Sequence, residues 1–171
     1  MADYSKAIEI NPSDANTYVS RGLIYYYEGK YNHAIADYKR EIEYNPDFEY
    51  ARLWLLIASR YISKEKAKEF LKEMEDYTNR HPSTEWVRTI SRYYMGNITG
   101  KKFFEKASRG KNEQQILGHL CEAYYYAGEE MLWEGDKANA RKFFQKALAT
   151  GKKDFDEYSL SKVMLKKIKK M

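Results

Sequence analysis

Cysteine is almost missing from this sequence. A single thiol, Cys121, stands among 171 residues, which excludes an intramolecular disulfide and any metal cluster built on cysteines. It lies inside a helical pattern, where a lone cysteine reads as a small buried residue. Proline is scarce, with three, and so is glycine, with nine placed mostly where helices would end. So few breakers favour an all-helical protein over one made of short strands and turns. No run of 18 apolar residues occurs, so no segment is expected to span a membrane. Neither a signal peptide nor a lipid-anchor cysteine stands near Met1, so as it stands the chain reads as cytoplasmic.

What the chain does hold is aromatic and charged. Hydrophobic residues make up 43% and charged residues 32%, a globular composition whose length suits one domain with a sizeable core. Tyrosine leads the aromatics, with 17 against 7 Phe and 3 Trp. Tyrosine at that density suits partly wet helix interfaces and binding surfaces. The net charge is +5, and residues 152–170 set seven lysines against Asp154, Asp156 and Glu157. The basic balance is therefore a property of that segment. No arginine or aromatic residue interleaves with its final lysines, so they read as a solvated helix end and nucleic acid is not an expected partner.

The most informative stretch runs from Tyr18 to Pro46: Tyr18-Val-Ser-Arg-Gly22-Leu-Ile-Tyr25, then Ala34-Ile-Ala-Asp-Tyr38, then Pro46. Two antiparallel helices approach closely only where both carry small side chains, here Gly22 and Ala34, with Tyr18, Tyr25 and Tyr38 filling the space around them. Pro46 cannot continue a helix, and it biases Asn45 toward an extended conformation. This spacing resembles the 34-residue tetratricopeptide (TPR) repeat. Tyr4, Ile8 and Pro12 repeat at Tyr38, Ile42 and Pro46, each 34 residues on. Residues 1–12 thus read as the second helix of a half repeat, whose apolar stripe at Tyr4, Ile8 and Ile10 needs a cover. Either the natural chain begins earlier or this edge meets a second copy, and a homodimer is one expectation.

The rest divides into 15–46, a full repeat; 49–80, a degenerate helix pair; 83–110, a second degenerate pair; 112–151, a repeat; and 154–170, a capping helix. In the first degenerate pair Ala58 and Ala67 take the small positions but lie nine apart, where Gly22 and Ala34 lie twelve apart. Ser63 is the expected N-cap of its second helix. His81-Pro82-Ser83 is expected to end that pair and cap the next. Asn112-Glu-Gln-Gln115 and Asp154-Phe-Asp-Glu157 have the pattern of capping boxes. Tyr124, Gly128 and Met131 repeat the spacing of Tyr18, Gly22 and Tyr25, and Ala140 and Phe144 match Ala34 and Tyr38. Gly151 stands where the first repeat has its proline. The expected fold is all-α, an α–α superhelix (a TPR-like solenoid of antiparallel helix pairs), closed by a lysine-rich outer helix as solenoids require.

From Leu53-Trp54-Leu55 onward, the order Ala67, Trp86, Tyr94-x-Gly96-Asn97-Ile98, Cys121-Glu122-Ala123-Tyr124-Tyr125, Gly135-Asp136, Ala140, Phe144, Ala147, Thr150-Gly151 resembles the bacterial lipoprotein NlpI family. That resemblance implies a dimerising envelope scaffold that brings proteases and cell-wall hydrolases together. It also implies a periplasmic or outer-membrane location, if a lipoprotein signal precedes Met1.

No catalytic constellation stands out, and neither a cofactor nor a metal is expected. Gly96-Asn-Ile-Thr-Gly100 lacks the Lys-Ser/Thr ending of a phosphate loop. His119 and Glu122 share a helix face beside Cys121, a weak pattern for a metal. Asn97-Ile-Thr99 is a glycosylation sequon that matters only in a secretory setting. The TPR resemblance places the first helix of each pair along a concave groove. That puts Asn16, Ser20, Tyr26 and Tyr27 there from the first repeat, and Glu122, Tyr126, Glu129 and Trp133 from the last. Relatives that clamp a carboxylate carry Lys and Asn where this chain has Val19, Ser20 and Leu23, so that clamp is not expected. The expected function is a non-enzymatic adaptor that binds protein or peptide partners through aromatic anchors. The rival is a structural, self-associating module whose aromatics are core.

Overall fold

The computed structural model describes residues 2–81 and 85–170. Among them every regular element is an α-helix: α1 (Ala2–Ile10), α2 (Ala15–Tyr27), α3 (Tyr31–Tyr44), α4 (Glu49–Arg60), α5 (Lys64–Arg80), α6 (Glu85–Tyr94), α7 (Gly100–Ala107), α8 (Glu113–Trp133), α9 (Lys137–Ala149) and α10 (Asp156–Lys170). The expected cap at Pro82-Ser83 lies outside the described residues. The helices gather into two compact units, 1–83 and 84–171.

In the first unit each helix packs on its successor, α1 on α2, α2 on α3, α3 on α4 and α4 on α5. This is the stacking of an α–α solenoid, in which contacts run mainly between neighbours. α2 ends where Gly29 takes a left-handed conformation (φ 75°), which a side chain would strain. α3 stops at Tyr44, and Asn45 before Pro46 is drawn out to φ −134°, ψ 74°, as the proline demands. Ser63 caps α5 as expected, its hydroxyl accepting from the backbone N–H of Lys66 at 3.1 Å. α4 is apolar nearly all round: the eight residues Ala51 and Leu53–Ser59 are buried, as suits a central helix.

In the second unit α7 packs on α6 and α8, α9 on α8, and α10 on both α8 and α9. Asn112 caps α8 by accepting from Gln115 N–H at 2.9 Å. The return bond of that box is displaced by one residue, with the Gln115 side chain accepting from Lys111 N–H at 2.7 Å. The expected box at Asp154–Glu157 does not form. α10 begins at Asp156, and Glu157 turns into the core, where its carboxylate accepts from the Tyr126 hydroxyl at 3.0 Å. The reason is register. Leu160, Ser161, Met164 and Ile168 form the buried stripe of α10, and Glu157 lies one turn before Leu160 and Ser161 on the same face. Lys162, Lys166 and Lys169 are exposed.

Candidate functional site

Two helix pairs, one in each unit, share an internal geometry. In the first, a Cβ built on Gly22 of α2 would lie 2.7 Å from Cε1 of Tyr38 and 3.3 Å from Cβ of Asp37, both on α3. In the second, a Cβ on Gly128 of α8 would lie 2.7 Å from Cε1 of Phe144 on α9. In each pair the atom nearest to the glycine therefore belongs to an aromatic ring of the second helix. Ala34 and Ala140 are themselves fully buried. The first pair is also clamped by charge: Arg21 Nε and Nη2 donate to the two Asp37 oxygens at 2.8 and 2.7 Å. That fork is the geometry in which arginine binds a carboxylate best.

On α2 the four expected groove residues separate by exposure. Asn16 is exposed, while Ser20 and Tyr27 are half-buried. Ser20 Oγ donates to the carbonyl of Asn16 one turn earlier, at 3.0 Å. Tyr26 is buried and meets Tyr27, Tyr31 and Tyr61 edge-on, with centroids 5.6 to 6.2 Å apart. Its ring belongs to the packing at the end of α2, and the half-buried Tyr27 lies beside it.

With this geometry in place, residues 15–48 match the family model described as tetratricopeptide repeat. The chain carries a tetratricopeptide repeat. Its match covers α2, the turn, α3 and the Pro46 stop, the stretch held by Gly22, Tyr38 and the Arg21–Asp37 fork. Repeats of this kind generally mediate protein–protein interactions.

The pair α8–α9 has the same glycine-on-ring geometry as the TPR pair, and its four expected groove residues divide as follows. Trp133, at the end of α8, is 38% exposed. Glu122, Tyr126 and Glu129 are buried, at 3%, 0% and 2%, so they act from within the unit. Trp86 Nε1 donates to the Glu122 carboxylate at 2.8 Å. The Trp86 ring stacks between Phe103 at 5.6 Å and His119 at 4.4 Å. His119 and Glu122, the pair weighed for a metal, are thus both engaged by one tryptophan. Among the described residues no three His, Cys, Asp or Glu side chains are grouped to hold a metal ion.

Sequence reasoning missed the chemical role of Glu157. Burial, first, and the neighbouring Glu122 charge, second, push its carboxyl up to about 8, because both penalise the ionised form. Two carboxyl groups and the Tyr126 hydroxyl therefore meet inside the second unit. The signal was present in the spacing, since Glu157 falls on the apolar face of its own helix. Cys121 packs against Ala147 and Tyr158. Burial raises its thiol to about 11, so it stays protonated and unreactive at neutral pH.

Proposed function

We propose that this protein is a non-enzymatic adaptor that binds peptide segments of partner proteins along the first helices of its TPR-type pairs. The observation that carries the reading is the helix pair at 15–48, whose glycine-seated ring and part-buried Arg21–Asp37 fork pack α2 against α3. Asn16, Ser20 and Tyr27 lie on that helix outside its fully buried stripe. Trp133 on α8 supplies an exposed aromatic of the type that anchors apolar side chains. Tyr26, Glu122, Tyr126 and Glu129 then serve by holding these helices in place. Selection of a displayed peptide library on the intact chain tests this. A recurrent apolar-anchored peptide should emerge and lose binding to Tyr27→Ala or to Trp133→Ala, according to the helix pair it uses. Failure to enrich any sequence over a control protein would refute it.

The finer proposal is an envelope scaffold like NlpI, presenting proteases or cell-wall hydrolases to their substrates. Its support is the ordered run of landmarks from Leu53-Trp54-Leu55 through Trp86 to Thr150-Gly151. Among the described residues no helix is long and apolar enough to cross a membrane. A second reading, self-association, is favoured by one observation: on α1, Ile10 is 76% and Tyr4 37% exposed. Sedimentation equilibrium decides it, since Ile10→Lys should convert a dimer into a monomer.

A further inference from the structure

Within the first unit, Ile42 of α3, Arg52 and Leu55 of α4, and Phe70, Met74 and Tyr77 of α5 line a cavity of about 200 Å³, with Glu73 and Arg80 also in its lining. Its floor is apolar: Leu55, Phe70 and Met74 are each buried. Its volume falls below the roughly 300–1,000 Å³ of cofactor pockets and suits a single inserted side chain. The cavity lies between two second helices and the first helix that joins them, away from the α2 residues named for the adaptor reading.

Its wall is cationic in an unusual way. The Arg52 guanidinium lies 3.7 Å from the centroid of the Tyr77 ring, and Nη1 donates to the carbonyl of Pro46 at 2.8 Å. Arg80 Nε donates to the carbonyl of Asp76 at 2.9 Å. Among the described residues neither guanidinium has a carboxylate within ion-pair distance, in contrast to Arg21, Arg40 and Arg109. Burial lowers the pKa of Arg52, against the pull of Tyr77, Glu49, Asp47 and Glu73. It is therefore a partly desolvated cation held against an aromatic ring, with Glu49, Asp47 and Glu73 acting on it only from beyond ion-pair distance. Outside the lining, the Lys39 Nζ lies 4.9 Å from the Phe70 ring. Among the side chains that line the cavity, Arg52 and Arg80 face one acidic residue, Glu73.

We propose that this cavity is a docking site for an acidic peptide segment that inserts one apolar side chain and lays a flanking Asp or Glu carboxylate against Arg52 and Arg80. The apolar floor takes the anchor, and the guanidinium forks take the carboxylate, which approaches over the ring edge of Tyr77. Planar bidentate pairing is what arginine offers and lysine does not. This site goes beyond the adaptor reading, and the Tyr27→Ala and Trp133→Ala variants should leave it intact, so the two proposals fail separately.

The test uses the full chain and short N-acetylated, C-amidated peptides carrying one leucine flanked by aspartates and glutamates. Titration calorimetry should show saturable binding that weakens with salt. Leucine-to-serine replacement in the peptide, and Arg80→Glu in the protein, should each weaken binding by roughly tenfold or more. Arg80 is exposed, so that variant should keep its melting temperature, whereas Arg52→Gln also loses the Pro46 bond and serves only as a supporting variant. A matched peptide with lysine flanks should not bind. Equal binding of the lysine peptide, or undiminished binding to Arg80→Glu, would overturn the proposal. So would binding confined to a peptide with neutral flanks and a free terminal carboxylate.

Discussion

Gly22 shows how one missing methyl group sets a helix pair. In a helix interior, Gly→Ala ordinarily stabilises by about 1 kcal/mol. Here the added Cβ would lie 2.7 Å from Tyr38, and that ring is only 1% exposed, so it cannot swing away. Overpacking of this kind costs about 1–3 kcal/mol, which exceeds the propensity gain. Gly22→Ala and Gly128→Ala should therefore both lower the melting temperature, and a rise in either would break the shared geometry of the two pairs. These positions were legible in the sequence because the repeat fixes their spacing. Glu157 was not, because a capping pattern and a core stripe overlap on it and the buried stripe prevailed. Its raised pKa has a definite sign. The folded state holds the proton up to about pH 8, while an unfolded glutamate releases it near pH 4.3. Its contribution is thus fully present below about pH 4 and is lost as pH rises toward 8. The melting temperature of the wild type should fall across that window by more than that of Glu157→Gln. Identical pH profiles would show that Glu157 is not the group responsible.

At the scale of elements, ends and faces differed in how far they could be read. Ser63 and Asn112 cap α5 and α8 because each side-chain oxygen meets an N–H that the helix leaves unpaired. Removing the Ser63 hydroxyl with Ser63→Ala should cost about 1 kcal/mol. Asp154, exposed and paired with Lys152 at 3.2 Å, caps no helix, and Asp154→Ala should stay within about 0.5 kcal/mol of wild type. Urea titration of both variants checks the contrast, and a larger loss at Asp154 would restore the abandoned capping box. The degenerate pair α4–α5 kept its helices but not the repeat's spacing, so its cavity could not be foreseen. In the sequence Arg52 stands beside the apolar run Leu53-Trp54-Leu55, and nothing local says that Tyr77, 25 positions on, would lie against it.

For the whole molecule, the all-helical class was legible because breakers are few and apolar spacing is helical throughout. Which of the groove candidates are buried was not. Spacing tells which side chains share a helix face, and only tertiary packing tells what that face meets, as Tyr126 and Glu129 show. The central claim is that TPR-type helix pairs present an aromatic anchor to a peptide, Tyr27 in one unit and Trp133 in the other. The most direct measurement is a calorimetric titration of a library-selected peptide into wild type and into the Tyr27→Ala, Trp133→Ala double variant, with both melts recorded. Aromatic anchors carry about 2 kcal/mol or more each, so the account predicts a loss of affinity well beyond tenfold with little change in melting temperature. Unchanged affinity in a double variant that melts like wild type would contradict it.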